Sequence, residues 1–368
     1  MGVILGGLVR DHFKALIVET LERYDIDGLE LDFMREPYDF SGGKEAEGGR
    51  ILTGWVREVR KLVTDAAAKR GYPIRLGVHV PSRPEVALGL GLDGSTWAKE
   101  GLIDLLTVTP RWATLEFDMP IHQWQQLLGS SKVTLAGGLE VRYQPSPYGP
   151  WSLVSPEIAT GGAVSVLSRG ADAVYLFNFF LDGHPGWPLP IYRKTLQGMT
   201  SLDSLLERPR RVGITFRDVT APAEKYKPPL PVMGKEFVFS MNLGPLSDSR
   251  WLCELLIGFE PDRGTSAPAP SVWVNGKPCQ ARHEEKTKEG PHLVSYSVPT
   301  TALRPPTRSW RRRTSRAIPR IKRRDSSRCL RSSIPFPPGR TGARCPSSLT
   351  SASRRARGPC PWSMPAAG

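Results

Sequence analysis

The run Tyr24-Asp-Ile-Asp-Gly-Leu-Glu-Leu-Asp-Phe-Met-Arg35 places Asp25, Asp27, Glu30, Asp32 and an arginine in or beside a short apolar stretch. A parallel strand covered on both faces is almost wholly Val, Ile and Leu. A carboxylate in such a strand costs desolvation free energy unless it is paired or does chemistry. Alternation sends Glu30 and Asp32 to one face and Asp27, Leu29, Leu31 and Phe33 to the other. The chemistry on offer is acid–base work by carboxyl groups held in different protonation states. Arg35 follows closely enough to keep one of them ionised. A structural ion pair closing the end of a barrel would use the same residues, and the run by itself leaves both readings open.

The elements that must position these residues alternate between helical and strand patterns over residues 11–208. The pattern predicts helices at His12–Arg23, Glu45–Arg70, around Ser95–Glu100 and Ile121–Leu128, and at Pro156–Ser168 and Ile191–Leu206. Between them lie strands at Asp27–Phe33, Ile74–Val80, Ile103–Thr109, Val133–Val141 and Ala171–Asn178. Five β/α units after one helix imply a parallel sheet with helices outside it. Polar and aromatic residues gather after the strands: His79 and Arg83, Arg111-Trp112, Glu140 with Arg142-Tyr143, and Asn178 with His184. In an α/β sheet or barrel that is the ligand edge. No Gly-x-Gly-x-x-Gly or Gly-Lys-Ser/Thr follows a strand, so a nucleotide site has little support.

From Val212 the text changes. Short segments at Gly213–Arg217, Phe237–Leu243, Trp251–Phe259, Ser271–Val274 and His292–Val298 alternate with Pro, Gly and Asp, and Asn275-Gly276 signals a hairpin. Residues 209–303 thus read as a small antiparallel β domain of sandwich type, with Ala221–Pro231 a long Pro-rich loop on its approach. Residues 304–368 are rich in Arg, Ser, Pro, Ala and Gly without hydrophobic period, and such a segment cannot bury enough apolar surface to order. This tail reads as out-of-frame translation of a GC-rich gene, or as a basic RNA-binding arm.

The formal charge of +14 belongs to that tail. Of the 50 Lys+Arg and 36 Asp+Glu, 17 and one (Asp325) fall after residue 300, leaving 33 and 35 in the globular part. A folded nucleic-acid-binding domain therefore has no electrostatic support, and nucleic acid is expected only through the tail. The five cysteines show neither metal-ligand nor disulfide spacing. No apolar run reaches membrane-spanning length. The N-terminus lacks the basic region of a signal peptide, which places the chain as written in the cytoplasm.

Arg23–Arg35 resembles the Asp-Gly-x-x-x-Asp-x-x-Arg strand of bacterial glycosyl-hydrolase-like TIM-barrel proteins, the "glycosyl hydrolase-like 10" group. Ile74–Glu85 and Asp93–Asp104 look like the next strand and the segment after it. The resemblance covers roughly residues 10–200, with a weaker family-like β domain to about 300. It implies a partial (β/α)8 barrel in which Asp27–Phe33 is strand four, the five units are strands four to eight, and strands one to three are missing. It also implies two-carboxylate hydrolysis of a glycosidic bond in a poly- or oligosaccharide, without metal or cofactor.

By that resemblance the acid sits at the end of strand four, Asp32 or Glu30, and the nucleophile at the end of strand seven, Glu140. Candidate substrate contacts are Asp27, Arg35, His79, Arg83, Arg111, Trp112, Arg142, Tyr143, Asn178 and His184. Trp112, Tyr143, Trp151 and Trp187 are sugar-stacking candidates, though packing beneath a loop suits each of them too. A barrel that binds a glycan or a protein without cleaving it fits the same residues.

Overall fold

The computed structural model describes residues 6–234, 236–246, 251–259, 269–285 and 292–303. The basic tail, with its disorder and RNA-binding readings, lies outside the described residues. The chain runs α1 (Gly7–Arg23), β1 (Gly28–Asp32), α2 (Glu45–Arg70), β2 (Arg75–Pro81), α3 (Pro84–Gly89), α4 (Gly94–Lys99), β3 (Leu105–Thr109) and α5 (Ile121–Leu128). It continues with β4 (Thr134–Leu139), a two-residue pair β5 (Arg142–Tyr143) and β6 (Ser152–Leu153), α6 (Pro156–Ser168), β7 (Ala173–Leu176), α7 (Leu189–Gly198) and α8 (Leu202–Leu206).

Local chemistry sets these limits. Asp93 caps α4 by accepting from Thr96 N, and Ser155 caps α6 by accepting from Ile158 N ahead of Pro156. Gly71 ends α2 in the left-handed conformation at φ 74°. The single helix expected over 191–206 is two, because Ser201 caps a new one by accepting from Ser204 N. The unforeseen α3 starts on Pro84, whose ring presets the first helical φ.

The five long strands form one parallel sheet in the order β1-β2-β3-β4-β7. Its helix-side face is pure hydrocarbon: Leu76, Val78, Val80, Leu106, Val108 and Leu135 are buried against Leu52, Val56, Val59 and Val63 of α2 and their neighbours. The opposite face is polar, carrying Glu30, Asp32, His79, Thr107, Thr109, Glu140 and Tyr175.

The sheet is curled as a barrel is. Four strand spacings of about 4.8 Å would hold β1 and β7 about 19 Å apart if it were flat. Yet the Tyr175 hydroxyl on β7 donates to Glu30 Oε2 on β1 at 3.2 Å, a reach those two side chains lack across a flat sheet. Register agrees. Glu30 is level with Gly77, Leu105 and Thr134 on successive strands. Tyr175 stands about four residues further along its strand, four strands away. That stagger of about one residue per strand is the shear of an eight-stranded α/β barrel. Strands β1 and β7 nevertheless lie at the two ends of the sheet, so among the described residues the ring is open.

A repeated clamp staples the strand starts together. Asp104, just before β3, takes Leu76 N of β2 on Oδ2 while its own N–H bonds Leu76 O. Asp172, just before β7, treats Leu135 of β4 the same way. Asp27 holds the same station before β1, and its carbonyl accepts from Arg75 N as that of Asp104 accepts from Thr134 N. Asp27 therefore belongs to the amino end of the sheet, away from the ligand edge, and this corrects its placement among the substrate contacts.

Beyond α8 the chain turns back over the barrel. Residues 213–217, expected as a strand, run without strand pairing across the carboxyl ends of the sheet: Thr215 donates to Leu115 O, and Asp218 accepts from Trp112 N and Ala113 N. An added Cβ at Gly161 on α6 would lie 2.0 Å from the carbonyl oxygen of Arg211. Gly161→Ala should therefore push this segment off the helix and cost about 1–3 kcal/mol, read as a lowered melting temperature. An unchanged melt would show that the segment is not seated there.

The rest is β8 (Cys253–Phe259), β9 (Trp273–Val274), β10 (Lys277–Pro278), β11 (Gln280–Glu285) and β12 (His292–Val298). Asn275 and Gly276 take positive φ, 49° and 77°, and join β9 to β10 as their types foretold. Among the described residues the expected sandwich is instead one antiparallel sheet, β11-β12-β8, beside that hairpin. Residues 237–243 form no strand.

Candidate active site

Asp32 and Glu140 end up on one inner surface because of strand parity and shear together. Asp32 closes β1, level with His79, Thr107 and Ala136. Glu140 lies four residues beyond Ala136 on the same face, three strands away. One residue of stagger per strand leaves the two within about one residue of the same height. Between them stands His79, fully buried, its Nδ1 3.1 Å from Asp32 Oδ1 though off the line of a hydrogen bond, with Tyr175 and Phe177 packed on its ring at 5.0 and 5.3 Å.

The two carboxyls feel opposite fields. Partial burial pushes Asp32 upward, but His79, the Met34 N–H and Arg35 more than offset it and hold the group below the usual carboxylate range. Glu140 is 2 % exposed; its Oε1 accepts from Val141 N and its Oε2 has no partner among the described residues. Burial pushes it up to about 7, against the Val141 and Arg142 N–H groups and the Arg142 charge, with Asp218 adding to the rise. At neutral pH one carboxyl is ionised and the other holds its proton about half the time. The Tyr175 phenol, raised to about 12 by burial and by Glu30, stays a donor.

The rim adds a second buried carboxyl that sequence patterning missed. Glu116, on the loop after β3, is 3 % exposed and accepts from Ser82 Oγ at 2.8 Å. Burial raises it to about 8, Asp118 and Asp218 add to that, and Arg83 opposes it. Glu116 and Asp218 lie outside any regular element, so no periodicity marked them. Tyr175 lies within the strand expected at Ala171–Asn178, on the same face as Glu140, and the sequence reading did not single it out.

The expected contacts divide. Arg35, Arg83, Arg111 and Trp112 cluster at the carboxyl ends: Arg111 pairs with Glu36 at 2.8 Å, Arg83 pairs with Asp118, and the guanidiniums of Arg35 and Arg111 sit 4.7 and 4.5 Å from the Trp112 ring. Arg142 stacks on Trp151 at 4.2 Å. Tyr143 is not presented to a ligand, since its ring packs edge-on to Phe117 and lies against Gly213 of the returning segment. Trp187 is a core residue that donates to Val154 O. Asn178 and His184 are exposed on the loop after β7 and join none of the acids. A cavity of about 530 Å³ lined by Arg60, Arg75, Asp104 and Lys132 lies at the amino end of the strands, remote from these groups. Among the described residues no cluster of His, Cys, Asp or Glu is placed to hold a metal ion, and no helix is long and apolar enough to cross a membrane.

No family model and no curated protein matches the chain. Among solved structures, a family GH18 chitinase from Chromobacterium violaceum is similar at 17 % identity and a TM-score of 0.28, over 37 % of this chain and 26 % of that one. The chain thus spans about a quarter of that chitinase's length.

Proposed function

We propose that the inner face of the curled sheet is a carbohydrate site of glycoside-hydrolase type, with Glu140 as proton donor and Asp32 as the ionised carboxylate that attacks the sugar or activates water. The carrying observation is the opposite perturbation of two carboxyls on one surface at one height. This division of roles is the reverse of the one the family resemblance implied. It follows the local fields: His79 and Arg35 stand by Asp32, and burial governs Glu140. Glu30, bound by Tyr175, is then a positioning residue beneath them.

The test is incubation of the full chain with a panel of oligosaccharides, reading reducing-end release and the anomer first formed. Release that survives both Asp32→Asn and Glu140→Gln unchanged would remove these residues from the mechanism. A second reading, glycan binding without turnover, is favoured by the near-complete burial of Glu140. It expects saturable binding to the same panel and no release.

A further inference from the structure

Four consecutive strands of the sheet are each followed by an arginine: Arg35 after β1, Arg83 after β2, Arg111 after β3 and Arg142 in β5 just past β4. Two are neutralised in place, Arg83 by Asp118 and Arg111 by Glu36. The other two, Arg35 and Arg142, have no carboxylate ion-pair partner among the described residues. Each instead lies over an indole, Arg35 on Trp112 and Arg142 on Trp151.

The Arg142 pair is built rather than incidental. Arg142 sits in β5 and pairs in register with Leu153 of β6, and Trp151 immediately precedes that strand. The hairpin therefore fixes both side chains on ordered backbone two residues beyond Glu140. Trp151 is 55 % exposed, a large apolar ring left open to solvent, and the Arg142 Nε is buried without a hydrogen-bond partner. An aromatic face beside a guanidinium that has no ion-pair partner among the described residues matches a ligand with an apolar ring face and an anionic substituent. The acids lie at lower stations, at or within one residue of the strand ends, so an anion at the rim approaches the arginines first.

We propose that the sugar bound beside Glu140 is acidic, its ring on Trp151 and its carboxylate or sulfate on Arg142. This rests on the reading of the inner face as a glycan site. It narrows the substrate class to anionic glycans.

The experiment is calorimetric titration of the full chain with neutral, uronate and sulfated oligosaccharides of equal length, at about 0.05 and 0.5 M salt. The expected result is that an anionic series binds at least about tenfold tighter than the neutral one, as one charge-assisted contact provides. That preference shrinks at high salt and disappears in Arg142→Gln. Arg142→Lys keeps the charge but loses the planar fork and should retain only part of it. If uronate alone is preferred the anion is a carboxylate, and if the sulfated series alone is preferred it is a sulfate. Equal binding of neutral and anionic glycans overturns this inference and leaves the glycan site standing. Absence of binding by all three series overturns the glycan reading and this inference with it. An anionic preference that survives in Arg142→Gln, checked as folded by circular dichroism, also overturns it by moving the anion elsewhere.

Discussion

Glu140→Gln should lower glycan turnover by roughly 10²–10⁴-fold, the usual worth of a positioned proton donor. The change is nearly isosteric, and the amide still accepts from Val141 N, so folding should survive. The pH profile carries the finer test. Turnover needs Asp32 ionised, which holds above its lowered pKa, and Glu140 protonated, which holds below about 7. Activity should therefore be high in mildly acid solution and fall as pH rises through about 7. In Glu140→Gln the residual rate should lose that alkaline limb. In Asp32→Asn it should lose the acid limb instead. A wild-type rate that stays flat between pH 6 and about 9 would be incompatible with Glu140 as the donor.

Glu116→Gln should make the protein more stable in alkaline solution. The folded pKa is raised from 4.5 to about 8, so the buried carboxyl costs nothing below about pH 4.5. Its cost grows as pH rises through the interval up to about 8, because the unfolded chain ionises there while the folded one does not. At about 1.4 kcal/mol per pH unit the full penalty is on the order of 5 kcal/mol. Glutamine removes it and can still accept from Ser82 Oγ. Thermal melts should superimpose near pH 4.5 and separate by about 10–15 °C at pH 8, the variant being higher. Equal melting at both pH values would mean that Glu116 is ionised and paired in the fold. Glu140 acts in the same direction over a narrower window, so wild-type stability should decline steadily from pH 5 to pH 8.

The barrel half of the fold was legible because strand and helix periods alternate cleanly, and because β2 to β4 are almost pure hydrocarbon on their helix side. Alternation also told which face Glu30 and Asp32 would share. Two things were not legible. The return of residues 211–226 over the rim depends on long-range contacts, such as Asp218 with Trp112 N and Ala113 N, that leave no periodic trace. The protonation of Glu116 and Glu140 depends on how thoroughly loops cover them, which spacing along the chain does not record. Asp27 was misread for a different reason. An aspartate before a strand looks the same whether it serves a substrate or a neighbouring backbone, and only Asp104 and Asp172 in place reveal which.

That aspartate has a consequence for how the open side of the sheet can be joined. Among the described residues no strand pairs with the outer rungs of β1, and in most proteins such an edge invites indiscriminate association. Here Asp27 stands at the first rung, at the station from which Asp104 and Asp172 each take a backbone N–H of the adjacent parallel strand. By analogy with those two, a parallel strand added at that edge would offer its first amide to the Asp27 carboxylate.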